Sequence, residues 1–337
     1  MIEMETTAPP DFLAPRRFNF GSPPEKPLPV LMVRDRIIAT AGNLSNIQAL
    51  PKEGKSSVVG AIIAAILNGN RQGPDTLGFS AENPEGKALI HIDTEQSVFD
   101  HDQLIRRAMK RAWVDEPPPW LMSYCLTDLS IPERRQALRD AFDKAERDHG
   151  GVFVVLIDGI ADLCISPNDD AESFALVGSL HADAMHHSCS ILTVLHQNPG
   201  SENAKTRGHL GSQLERKAET NLRLAKDASG ITSIWSERAR HCHLPKEDAV
   251  CFRWSDDAGM HVSCGTAGEI RASAKGAKAL SEAEACFGAS VALTYTELVE
   301  AIEQGLAVAN RTAKLRVNQW VAEGVIRKGA NGYLLKN

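Results

Sequence analysis

The sequence predicts an α/β fold, a largely parallel central sheet flanked by helices, with a small C-terminal module of a different kind. Three observations predict it. Between about residues 31 and 263, short apolar runs alternate with helical segments, the pattern of strands joined by helical crossovers. One run, Val152–Asp158, is apolar up to its last residue, as a strand buried on both faces must be. Residues 265–283 are rich in Gly, Ala, Ser and Lys without apolar periodicity, and read as an interdomain linker. The expected layout is an arm over 1–30, an α/β domain over 31–264, that linker, and a module over 284–337.

Bulk properties exclude several function classes. A chain of 337 residues accommodates one large domain and one small one. Hydrophobic content of 43% and charged content of 24% are those of a soluble globular protein. A net charge of -6 argues against a surface coated all over with nucleic acid and leaves room for a local basic patch. The seven cysteines are dispersed without a CxxC pair, which suits reduced thiols in a cytoplasm better than a disulfide frame or a zinc site. No signal peptide or membrane-length apolar run is evident, so the expected location is cytoplasmic. Aromatic content of 5% does not indicate a base-stacking platform.

Taken in order, the chain opens with seven prolines before residue 30, an extended arm that drapes over a neighbouring subunit or hangs free. A short strand over 44–49 leads into Ala49-Leu50-Pro51-Lys52-Glu53-Gly54-Lys55-Ser56-Ser57, followed by an apolar helix over 58–67. The loop has the form [AG]-x4-G-K-[ST], and the strand–loop–helix context makes it a phosphate-binding loop. Its successive backbone N–H groups and the helix N-terminus attract phosphate oxygens. Lys55 would reach the β- and γ-phosphates of ATP, and the Ser56 hydroxyl would ligate Mg²⁺.

A strand over 88–93 ends in Thr94-Glu95-Gln96, and a helix over 99–111 carries the basic face Arg106, Arg107, Lys110 and Arg111. A highly charged, solvent-facing helix over 132–147 precedes the apolar strand that ends in Asp158. An acid at that point is placed to hold Mg²⁺ beside Ser56, or else to cap the next helix. Gly159 follows, so no second acid is available there to activate water. Glu95, at the end of the preceding strand, is the candidate base, since carboxyl ends of parallel strands converge. A polar loop over 166–173, a helix over 174–187 and a buried strand over 189–195 come next, ending in His196 and Gln197. That polar pair can sense the γ-phosphate, or serve structure alone. In the polar segment beyond, Lys205 and Arg207 share one side of an extended chain. They are placed to reach a neighbour's phosphates as arginine fingers, or form a solvated loop. A stretch over 214–224 mixes charged and apolar residues, and trailing strands occupy about 232–237, 249–254 and 260–263.

Past the linker, a helix over 294–302 has a hydroxyl N-cap, and a second amphipathic helix opens at Asn310 or Arg311 and closes at Gly324. A hairpin turns around Ala330-Asn331-Gly332. Helix, turn, helix and wing is the pattern of a winged helix-turn-helix. Residues 311–337 carry a balance of +5, leaving the remainder at -11. Arg311, Lys314, Asn318, Arg327 and Lys328 are the expected contacts to duplex DNA, unless the module serves protein contacts instead.

With these residues assembled, the chain resembles the RecA-like hexameric ATPases of the plasmid RepA type, relatives of the DnaB replicative helicases. The resemblance spans about 36–263 and rests on ALPKEGKSS, HIDTEQ, VVLIDG, TVLHQNPG and KTRGHLGSQLERKAE in that order. It implies a RecA-like P-loop core, Glu95 activating water, Asp158 on Mg²⁺, His196 or Gln197 sensing γ-phosphate, and Arg207 acting in trans with Lys205 beside it. It also implies a homo-hexamer that hydrolyses ATP at subunit interfaces as a helicase-like motor in replication of a plasmid or other mobile element. DNA and a replication initiator or primase would be its partners. The alternative is an ATP-controlled DNA-binding regulator or helicase loader. Two departures stand out: Ala49 replaces the commoner first glycine, and Pro51 and Glu53 put a bend and a negative charge inside the loop.

Overall fold

The computed structural model describes residues 11–197 and 208–336. Residues 11–28 are exposed and form no strand or α-helix, with one 3-10 turn at Ala14–Arg16. A hairpin of β1 (Pro29–Val33) and β2 (Arg36–Thr40) follows, then β3 (Leu44–Ala49), α1 (Lys55–Asn68) and the short β4 (Phe79–Ser80). Next come β5 (Ala88–Asp93), α2 (Val98–Ala112), β6 (Leu121–Cys125), α3 (Ile131–His149), β7 (Val152–Asp158), α4 (Asp170–His186) and β8 (Ser190–His196). Beyond the undescribed stretch lie α5 (Gly208–Lys217), β9 (Thr220–Lys226), β10 (Thr232–Ala239), β11 (Val250–Ser255) and β12 (Met260–Thr266). The chain finishes with α6 (Ala267–Phe287), α7 (Tyr295–Leu306), α8 (Asn310–Ala322) and the hairpin β13 (Ile326–Gly329) and β14 (Gly332–Leu335).

Nine strands form one sheet in the order β12-β11-β10-β9-β3-β8-β7-β5-β6. From β9 to β6 every pairing is parallel; β10, β11 and β12 extend the sheet antiparallel. The α/β expectation with a largely parallel sheet is therefore met. β6, β9 and the β1–β2 hairpin were not singled out from sequence. β9 alternates polar and apolar residues behind a charged helix end, so its pattern blurs into the 214–224 stretch.

α1 and α2 pack with the β1–β2–β4 sheet on one face, while α3, α4 and α5 cover the other. α1 carries no charge after Lys55 and is buried on nearly every side, as an all-round apolar helix must be. Each fully buried aliphatic there, such as Ile62 or Ile63, contributes about 1.5–3 kcal/mol relative to exposure. This burial anchors the α1 N-terminus, and with it the loop from Ala49. Among the described residues no helix is long and apolar enough to cross a membrane.

The linker expected over 265–283 is instead helix α6, so that expectation is corrected. Thr266 and Glu269 form a capping box at its start, and alanine and lysine are strong helix formers. Its apolar stripe is short and made mostly of small residues: Ala279, Ala283 and Phe287, spaced by four, are the ones buried against the C-terminal unit. A stripe that begins only halfway along a helix leaves no periodicity in the first half. The C-terminal unit accordingly starts inside α6, before residue 284. There the α6 stripe, Leu298, Val299 and Ile302 of α7, and Ala313, Val317 and Trp320 of α8 share one core. A bridge between Leu293 and Tyr333 adds a third short strand to the hairpin.

Candidate functional site

The loop between β3 and α1 lies at the carboxyl ends of the parallel strands. Gly54 stands at φ 92°, and a Cβ there would sit 3.2 Å from the Phe252 ring, so both conformation and space demand glycine. Ala49 is different. It is the last residue of β3, paired with His196 and accepting a hydrogen bond from Gln197 N–H at 3.0 Å. Its backbone is that of an ordinary strand, which is why alanine serves. Pro51, Lys52 and Ser56 are exposed around the loop's rim.

Glu53 turns back on its own loop. Its Oε2 accepts the Leu50 N–H at 2.9 Å, and Oε1 lies 3.5 Å from Lys226 N. A carboxylate thus already sits on an amide that would otherwise be open to an external anion.

Lys55 is buried and donates through Nζ to Leu50 O at 3.3 Å; Nζ also lies 2.9 Å from His196 Nδ1. The other nitrogen of His196 lies 3.1 Å from Glu95 Oε2. An ammonium can only donate, so His196 accepts at Nδ1 and carries its proton on Nε2, which donates to Glu95. Three residues from α1, β8 and the end of β5 are therefore joined in one chain. Burial pulls the Lys55 pKa below its usual value, against the opposing pull of Glu95, Asp158 and Glu53.

Asp158 ends β7 opposite Asp93 and Val194 of its neighbours. It is 3% exposed, and burial together with Asp93 and Glu95 pushes its pKa up to about 7, with Lys55 pulling the other way. The glycine after it has a steric cause. A Cβ on Gly159 (φ 94°) would lie 2.7 Å from Glu95 Cγ and closer still to Thr94 Oγ1. The end of β5 occupies the place where a second acid would begin. Gln197 is buried, and its side-chain Nε2 has no hydrogen-bond partner among the described residues.

Lys205 and Arg207 lie outside the described residues. Within the C-terminal unit, Arg311, Lys314 and Asn318 are exposed along one face of α8, opposite Ala313, Val317 and Trp320. Arg327 and Lys328 are exposed on β13. Arg316 is set apart, with Nη1 3.6 Å from Glu282 of α6.

A cleft beside the loop escaped the sequence reading. It is lined by Ser56 and Ser57, by Arg107 and Arg111 of α2, and by Trp254 and His261 of β11 and β12. Ser57 Oγ meets His261 Nδ1 at 2.8 Å, and the half-exposed Trp254 indole stands edge-on to the His261 ring. The basic face of α2 is visible in sequence, but its partners lie about 150 residues downstream and only the tertiary packing brings them near, with Lys110 donating to Ala258 O and Arg111 to His261 O.

No protein-family model matches the chain, and no curated protein matches it in sequence.

Proposed function

We propose that the chain is an ATP-hydrolysing, DNA-engaging motor with a RecA-like P-loop core and a C-terminal winged helix, working as a ring of identical subunits in replication of a mobile element. One observation carries the reading: Lys55, Glu95, Asp158 and His196, from four separate elements, converge on the loop at the carboxyl ends of β3, β5, β7 and β8. That edge is where parallel α/β sheets bind ligands.

Each residue then has a role that chemistry explains. The loop amides and Lys55 receive the β- and γ-phosphates. Glu95 takes the proton of the attacking water, a task for a carboxylate whose side chain remains in reach of solvent. His196 holds both Lys55 and Glu95, so a phosphate that draws Lys55 away changes what His196 binds; this makes it the sensor. Gln197, with an unused amide, is its companion. The residues also suit Mg²⁺. Asp158 is a buried carboxylate lacking sufficient positive charge, and the Ser56 hydroxyl faces outward from the α1 N-terminus. Ser56 and Asp158 would hold the ion, which would neutralise charge on the phosphates. The cleft of Trp254, His261 and Arg107 adjoins the loop and is suited to the nucleoside. Arg311, Lys314, Asn318, Arg327 and Lys328 present hydrogen-bond donors, most of them charged, to a duplex.

ATP turnover by wild type and Lys55→Ala, with and without duplex DNA, tests this. The expected result is turnover that DNA stimulates and that the variant lacks. Equal rates in both proteins would remove the motor reading.

Glu53 favours a second reading, an ATP-controlled DNA-binding regulator or loader, because its carboxylate competes with phosphate for the Leu50 amide. Strand displacement separates the two: a chain that binds duplex and ATP but never parts strands is the regulator. On either reading Glu53→Gln should tighten ATP binding by roughly tenfold, about 1.4 kcal/mol, since it removes a like charge from the triphosphate's path. Calorimetric titration reads this directly, and unchanged or weaker binding would assign Glu53 to holding the loop's shape.

A further inference from the structure

Beneath the loop, on the face of the sheet that α2 covers, lies a buried polar cluster that shares only Asp158 with the residues assigned to nucleotide. His91 and Asp93 share a side of β5, being two residues apart, and Asp158 is aligned with Asp93 on β7. One ring nitrogen of His91 and one carboxylate oxygen each from Asp93 and Asp158 lie within 4.8 Å of one another. All three residues are buried.

The hydrogen bonds around His91 link its tautomer to that of His101. Asp93 can only accept, so the His101 Nδ1 at 3.2 Å from its Oδ2 carries a proton. With a neutral His101, Nε2 is an acceptor, and the Ser123 hydroxyl 3.1 Å away donates to it. With its hydrogen committed there, Ser123 Oγ accepts from His91 Nδ1 at 2.9 Å. His91 Nε2 is left with a bare lone pair, and this fully buried nitrogen has no hydrogen-bond partner among the described residues. The His101 ring stacks parallel to His91 at 5.3 Å and holds its orientation. A histidine whose Nδ1–H is tied down while Nε2 stays bare is arranged as metal-binding histidines are.

The unpartnered His91 Nε2 and the two carboxylate oxygens beside it form a buried donor set suited to a cation. Imidazole as a ligand points to transition metals, whereas Mg²⁺ prefers oxygen alone. The geometry points to a site in which His91, Asp93 and Asp158 hold a divalent transition-metal ion, Mn²⁺ or Zn²⁺, independently of nucleotide. Asp93 also accepts from Glu95 N–H, Gln96 N–H and the Gln96 side-chain amide. The metal takes the place of that half-buried side chain on Oδ2. Ser123 and His101 are positioning residues, since they act through His91.

The test uses the full chain, stripped with chelator and free of nucleotide, titrated with Mn²⁺ and followed by electron paramagnetic resonance. About one Mn²⁺ per chain should bind, with Zn²⁺ competing and Mg²⁺ competing poorly. Pulsed spectra of wild type should show coupling to an imidazole nitrogen. His91→Ala should weaken binding by more than about tenfold, and Ser123→Ala by about tenfold through loss of the fixed tautomer. Ser56→Ala should bind Mn²⁺ as wild type does, which separates this site from an ion carried by nucleotide. No binding without nucleotide, no nitrogen coupling, or undiminished affinity in His91→Ala would each overturn the assignment. The wild-type spectra decide even where a variant fails to fold, and none of these readings requires ATP hydrolysis.

Discussion

Glu95→Gln should slow ATP turnover by about 10²- to 10⁴-fold, the usual contribution of a general base, and leave nucleotide affinity close to wild type. Glutamine has nearly the same shape as glutamate, and its amide oxygen can still accept from His196 Nε2, now 3.1 Å from Glu95 Oε2. The hold of His196 on Lys55 at 2.9 Å should therefore survive, and with it the resting geometry of the loop. What disappears is basicity. Single-turnover hydrolysis measured beside calorimetric ATP binding separates the two effects. A variant that binds ATP and hydrolyses it at the wild-type rate would move the base elsewhere.

The parts of this site legible in sequence were those whose chemistry is local. Ala49 to Ser57 carry their own motif, and Asp158 and His196 stand out because each ends an apolar run, with Glu95 two residues past the end of another. Strand ends announce themselves by a change from apolar to polar residues. Side-chain direction does not. Glu53 folds back because Leu50 N–H is within its reach, and nothing in the residue order distinguishes that from an outward rotamer. Gly159 was read as a missing acid; the close approach of Thr94 and Glu95 makes it a steric requirement. The Trp254–His261–Arg107 cleft is invisible in sequence because it depends on α2 packing against the β11–β12 hairpin, about 150 residues away. The α6 helix was mistaken for a linker because an alanine stripe resembles low complexity when the partner that buries it is unknown. The cluster around His91 is hidden for a related reason: His91 and Asp93 alternate inside an apolar strand, and their hydroxyl, acidic and imidazole neighbours come from β6, β7 and α2.

Trp320→Ala should unfold the C-terminal unit while the α/β core stays folded. Trp320 is the largest fully buried side chain among the described residues, in a core shared by α6, α7 and α8. Truncating a buried tryptophan costs about 3–5 kcal/mol, close to all the stability a unit of this size can hold. The two clusters that flank the main sheet contain no residue of this unit, so basal ATP turnover should persist while DNA binding and its stimulation are lost. The indole Nε1 has no hydrogen-bond partner among the described residues, so Trp320→Phe gives up less: it keeps most of the apolar volume and removes an unsatisfied N–H. Lys314→Ala makes the contrast. That side chain is exposed on the outer face of α8, and its loss should leave the melting curve unmoved, lower DNA affinity, and reduce the salt slope of binding by about one. Thermal unfolding followed beside DNA titration at several salt concentrations reads all three variants. If Trp320→Ala bound DNA as wild type does, the basic face of α8 would not be the DNA contact. If it abolished basal turnover as well, the unit and the core would be one cooperative structure, and α6 would be the rigid rod that couples ATP to DNA.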